Sequence, residues 1–88
     1  MAGRIDTDPA ALVAMARELK NASASIDGSI RKVRAALNAS RWNDNVRNDF
    51  EKNLEAIARM AKQIEAVSDE SQRMLNRKAQ QLQTYLGR

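Results

Sequence analysis

From Pro9 to Leu86 the chain carries two long apolar stripes of helical period and one interruption between them, a pattern that leaves few folds open. Leu12, Leu19, Ile26 and Val33 recur every seven residues, and Ala16, Ser23, Ile30 and Leu37 form a second row four positions further on. Together they make the narrow apolar stripe of a helix that packs against other helices. The start is marked by Asp8 followed by Pro9, the only proline. An acid at the N-cap with proline at the first helical position is a strong start signal, because the carboxylate accepts free backbone N–H groups and proline has no N–H to leave unpaired. Alongside the stripe runs a row of small residues, Ala22, Ser29 and Ala36, where a neighbouring backbone can approach. Gly28 costs about 1 kcal/mol in a helix interior relative to alanine; it marks either such an approach or a soft spot.

The stripe stops at "NASRWNDN", where polar and capping residues surround the only tryptophan. A second helix then begins: Val46, Phe50, Leu54, Ile57, Ala61, Ile64, Ser71, Leu75, Leu82 and Leu86 follow three-and-four spacing, flanked by Met60, Val67 and Met74. Ser68 to Ser71, "SDES", dilutes the stripe and reads as a frayed or re-capped turn, and Gly87 reads as a C-terminal stop. The chain is thus one all-α domain over residues 1–88, with helix 1 at about 8–39, a turn at about 40–44 and helix 2 at about 45–86. At about 1.5 Å per residue the helices are roughly 45 and 60 Å long, too long for a compact three-helix globule.

A short connection makes neighbouring helices antiparallel, so the expected fold is a helix-turn-helix hairpin. Each stripe is wider than one two-helix contact can cover, which leaves apolar surface on one side of the hairpin. Pairing two hairpins into a four-helix bundle removes it. A dimer, with itself or with a related chain, follows from burial alone; Leu12, Leu19, Ile26, Ile30, Val33, Leu37, Leu54, Ile57, Ile64, Leu75 and Leu82 are assigned to the core or to this dimer seam. With 88 residues, a lone core is marginal in any case.

Composition narrows the chemistry. The chain has no cysteine and no histidine, so disulfides, thiolate metal sites and the commonest zinc ligand and general base are missing. No cofactor, metal or catalytic residue is assigned, and Met15, Met60 and Met74 read as adaptable packing. Asp8 is explained by capping, and Asp6 beside it has no acid-base partner at fixed geometry. The start "MAGRIDTDPAAL" lacks the flank and apolar run of a cleaved signal, and no stretch approaches the roughly 20 apolar residues of a membrane span. The expectation is synthesis in the cytoplasm and, where the chain is secreted, a route that needs no cleaved signal.

The formal charge is +4, which invites a nucleic-acid reading. Yet Asp6 and Asp8 lead the first segment and Arg31, Lys32, Arg34 and Arg41 follow near its end; Asp44, Asp49 and Glu51 open the second, and Arg73, Arg77, Lys78 and Arg88 close it. Acids first and bases last is the order that helix dipoles favour. The alternative is a basic helical module that binds nucleic acid or an anionic surface through Arg31, Lys32, Arg34, Arg41 and Arg47.

The break itself is the most specific motif. In "SRWNDNVRNDF", Trp42 is followed by Asp44 at plus two, Val46 at plus four and Phe50, the only phenylalanine, at plus eight. This resembles the WXG family, the ESAT-like helical hairpins of type VII secretion, whose loop reads Trp, any residue, Gly, then a small or apolar residue and an aromatic at the same spacing. The opening "RIDTDPAALVAMARELK" is similar to the family's first helix, with its aspartate-proline pair about 33 residues ahead of the tryptophan. The resemblance spans nearly the whole chain.

It implies a non-enzymatic interaction protein: a substrate of a type VII secretion system, or a targeting or chaperone partner of one. It also implies dimerisation with itself or a related chain, contact with a larger exported effector and the secretion ATPase, and a recognition surface made of the tryptophan loop and the partner's C-terminal turn, here Tyr85 and Leu86. Two departures stand out. Asp44 occupies the place of the family glycine; it serves well if the position only starts a helix, and poorly if it needs φ > 0 or close approach of a partner backbone. Tyr85 is not followed by the acid of the family's export tail before the chain ends at Arg88. Dependence on a partner's tail, a different signal and no export at all remain as alternatives.

Overall fold

The computed structural model describes residues 8–86. Two helices, α1 (Pro9–Ala39) and α2 (Asn45–Leu86), account for nearly all of them, and no strand occurs among the described residues. They pack as an antiparallel hairpin: Leu12 meets Ala79 and Leu82, Leu19 meets Ser68, and Arg34 meets Glu55, so position falls on one helix as it rises on the other. The result is a rod of 65 × 20 × 16 Å.

Both ends of α1 are fixed by groups the sequence supplies locally. The Asp8 side chain accepts the Ala10 N–H at 3.0 Å, and its carbonyl accepts those of Ala11 and Leu12. At the far end the Ser40 hydroxyl donates to the Leu37 carbonyl at 2.7 Å, and the Ser40 N–H donates to that same oxygen. Arg41 then adopts a left-handed backbone, φ 61°, which turns the chain away from the helix axis where glycine is the usual occupant.

The seam between the helices is uneven. At the open end Leu12, Ala79 and Leu82 are buried together with Leu75 packed on them; near the turn Leu37 and Leu54 are buried. Between these anchors the seam is built of small residues, including Ala16, Ser23, Ala58 and Ala61. There the Ser68 hydroxyl donates across the hairpin to the Leu19 carbonyl at 3.2 Å and accepts from Gln72 Nε2 at 3.1 Å. The expected frayed turn at "SDES" is therefore absent. α2 runs through it unbroken, because Ser68 is a buried seam residue whose hydroxyl is satisfied by the other helix.

Two further expectations change. Neither helix has an acid in its first turn or a base in its last turn. A helix dipole acts within about one turn of the terminus, so only the cap residue Asp8 and, as shown below, Asp44 fit that account. Two of the basic residues are paired with acids instead: Arg31 with Asp27 at 3.1 Å one turn back, and Arg34 with Glu55 across the hairpin at 3.2 Å. Both pairs are largely exposed and stabilise little. Gly28 marks no close approach within the hairpin, since a Cβ added there meets nothing within 4 Å.

Candidate functional site

The turn is closed by side chains acting on one another and on the loop backbone. Asp44 is the N-cap of α2: its Oδ1 accepts the backbone N–H of Arg47 at 3.1 Å. The same oxygen accepts the Trp42 indole Nε1–H at 2.7 Å. Arg47 reaches back and donates from Nη1 to the Trp42 carbonyl at 2.6 Å, while its Nη2 lies 3.6 Å from Glu51. The Trp42 ring is half-buried and rests against Phe50, with centroids 6.0 Å apart and planes tilted by 31°. Ser40 completes the loop by accepting the Trp42 N–H at 3.2 Å.

This geometry explains Asp44. The one positive φ among the described non-glycine residues is at Arg41, so position 44 needs no glycine conformation. A glycine there would supply neither the cap carboxylate nor the acceptor for the indole. Trp42 is thereby held in one orientation, with part of its ring against Phe50 and part open to solvent. Val46, placed beside Phe50 by the sequence, is 60% exposed and does not join the aromatic pair. Arg47, which the sequence places only in the alternative basic surface, is part of the turn. Its position three residues after an N-cap and four before Glu51 was the available signal.

The second feature is a broad apolar face along one side of the rod. Leu19 borders a groove with Met60, Ile64 and Val67, and a second groove with Met15, Ala22 and Leu75. Ile26 and Val33 continue the α1 stripe and Ile57 and Met74 the α2 stripe at heptad spacing, all exposed. The opposite side is charged, with Asp27, Arg31, Arg34, Lys62 and Glu65 around the small seam residues. The eleven expected seam residues thus divide. Leu12, Leu37, Leu54 and Leu82 are buried within the chain, and Leu19, Ile30 and Leu75 are half-buried. Ile26, Val33, Ile57 and Ile64 lie on the outer face.

Of the five cations of the nucleic-acid alternative, Arg31 and Arg34 pair with acids, Arg47 braces the turn, and Lys32 and Arg41 are exposed. The backbone at Tyr85 and Leu86 is the end of α2, and their side chains lie outside the described residues. No helix among the described residues is long and apolar enough to cross a membrane. The chain matches no protein-family model, no curated protein and no solved structure.

Proposed function

We propose that the chain is a non-enzymatic interaction protein, a WXG-like hairpin that pairs through its apolar face and serves as a substrate, or as a targeting or chaperone partner, of a type VII secretion system. The observation that carries this reading is the turn. Trp42 is fixed by Asp44, Arg47 and Phe50 at the end of the rod, and a large amphipathic ring held rigid while half-exposed is suited to recognition by another protein. In this reading the turn of one chain, with the C-terminal end of its partner, is what the secretion ATPase or a larger exported effector engages. The apolar face supports the same reading, because a run of exposed aliphatic side chains on a rod this thin is a surface for a helical partner.

The test is export of Trp42→Ala and Trp42→Phe from a host with such a system. Retained helicity and unchanged association, checked by circular dichroism and sedimentation, separate recognition from folding. Export is expected to fail for the alanine variant and to be reduced for phenylalanine, which keeps a ring and loses the indole N–H. Export of the alanine variant at the parent level overturns the proposal.

A further inference from the structure

Met15, Met60 and Met74 are the methionines among the described residues, and all of them sit on the outer apolar face. They are 47%, 54% and 59% exposed, and the buried residues of the seam include no methionine. Met15 lines the groove with Leu19, Ala22 and Leu75, and Met60 the groove with Leu19, Ile64 and Val67. Met74 stands one heptad beyond Val67 and continues the row of Met60 and Val67 along α2. The Leu12–Ala79 and Leu19–Ser68 contacts set the register at this end of the rod, and between them Met15 and Met74 fall at one height, one on each helix. The chain has no cysteine to compete for an oxidant, so exposed thioethers are its softest nucleophiles.

A thioether and its sulfoxide differ in what can cover them. The thioether is a polarizable apolar group that packs against aliphatic side chains. The sulfoxide carries an oxygen that accepts hydrogen bonds, and removing it from water without a donor is costly. Donors are scarce on this face. The groove around Met15 is lined by Ala14, Glu18, Leu19, Ala22 and Leu75, whose one polar side chain is an acceptor, while Met60 has Gln63 and Ser71 beside it. Oxidation therefore spoils the face most severely at Met15. It leaves the seam untouched, so the hairpin stays closed while its outer surface changes character.

We propose that Met15, Met60 and Met74 form a reversible oxidation site that controls pairing through the apolar face. A sulfur lone pair attacks a hydroperoxide such as hydrogen peroxide; an S–O bond forms as the O–O bond breaks, the sulfur gives up two electrons, and the peroxide is reduced to water. A thiol-dependent sulfoxide reductase reverses the step, releasing the oxygen as water and leaving its own two thiols as a disulfide. Oxidation needs an uncovered face and pairing needs an unoxidised one, so each state blocks the other. This rests on the reading of the face as a pairing surface and adds its regulation.

Peptide mass spectrometry of the dilute, folded chain in hydrogen peroxide is expected to show all three sulfoxides forming within a few-fold of their rates in urea, with helical circular dichroism unchanged. Protection of these sulfurs by an order of magnitude, or loss of helix on oxidation, overturns the proposal. In sedimentation, the concentration of half-association should rise at least about tenfold on oxidation and return after sulfoxide reductase treatment. The triple variant Met15→Gln, Met60→Gln, Met74→Gln imitates the polarity of the sulfoxides at similar helix propensity, and it should pair as weakly as the oxidised chain. The corresponding triple leucine variant should pair like the parent and ignore peroxide. Where the parent does not self-associate, export of these variants is the readout, with the same expected order. A glutamine variant at the parent level, a leucine variant below it, or a parent that neither pairs nor is exported overturns the proposal. The two proposals fail separately. Export that requires Trp42 while the glutamine variant matches the parent leaves the secretion reading without the switch, and peroxide-sensitive pairing beside export that ignores Trp42 does the reverse.

Discussion

Removing the Asp44 carboxylate should cost the hairpin more than an exposed loop residue ordinarily does, and the cost divides into two measurable parts. One oxygen serves two donors, the Arg47 N–H at 3.1 Å and the Trp42 indole at 2.7 Å. Loss of an N-cap to alanine costs about 1 kcal/mol, and loss of an exposed hydrogen bond to a charged acceptor roughly 0.5 to 1 kcal/mol more. Asp44→Ala is therefore expected to lose roughly 1.5 to 2 kcal/mol. Asp44→Gly should lose less, since glycine at an N-cap gives up only a few tenths of the capping energy, and Asp44→Asn should stay within about 0.5 kcal/mol because its amide oxygen can accept both bonds. The assay is urea unfolding followed by helical circular dichroism at one fixed protein concentration, because association shifts the midpoint by mass action. Repeating Asp44→Ala on Trp42→Phe isolates the indole bond: the second loss should be smaller than the first by about 0.5 kcal/mol. If Asp44→Ala unfolds within about 0.3 kcal/mol of the parent, the turn is held by packing of Trp42 on Phe50 and the carboxylate is incidental.

Other substitutions probe the backbone and the seam. Arg41→Gly should raise stability by about 0.5 to 1 kcal/mol, because the left-handed φ of 61° strains any residue with a Cβ and glycine returns only part of that gain as chain entropy; a lower midpoint would show that the arginine side chain holds the turn. Gly28→Ala should also stabilise, by about 0.5 to 1 kcal/mol, since the added methyl meets nothing within 4 Å. A drop measured at a dilution where the chain is monomeric refutes that. Ser68→Leu should cost about 1 to 3 kcal/mol by forcing the helices apart at a buried seam position, whereas Ser68→Ala should cost less than about 1 kcal/mol. Equal stability of the two variants in thermal unfolding would mean the seam is looser there than the Ser68 to Leu19 bond implies.

The hairpin was legible in the sequence because its signals are local. Asp8–Pro9 starts a helix by chemistry contained in two residues, and the polar cluster around Trp42 breaks it within five. What was not legible depends on partners distant along the chain. Ser68 reads as a flaw in an apolar stripe until Leu19, 49 residues away, is seen to supply its acceptor. Periodicity also did not divide each stripe into an inner and an outer half. Ile57 and Ile64 share the spacing of Leu54 and Leu82, yet the hairpin buries Leu82 with Ala79 at the open end and Leu54 near the turn, and turns the isoleucines outward. A stripe three positions wide is compatible with two seams, and which one closes within the chain is set by how closely small residues let the backbones approach. At the turn, Trp42, Asp44 and Phe50 were identified by spacing, while Arg47 was read by its charge. Its bond to the Trp42 carbonyl needs the loop's three-dimensional course.

The uneven seam has a consequence for how the rod comes apart. Its large buried side chains are gathered into two knots, Leu12 with Leu82 at the open end and Leu37 with Leu54 at the turn, separated by about 37 Å of helix. The waist between them is held mainly by alanines, serines and one hydroxyl-to-carbonyl bond. Such a waist transmits little cooperativity, so the open end can unzip while the turn stays folded. Trp42, as the sole tryptophan, is a fluorophore built into the knot that lets go last. Its emission should therefore outlast the loss of helical ellipticity on heating, and the gap between the two melting curves measures how far the two knots are independent.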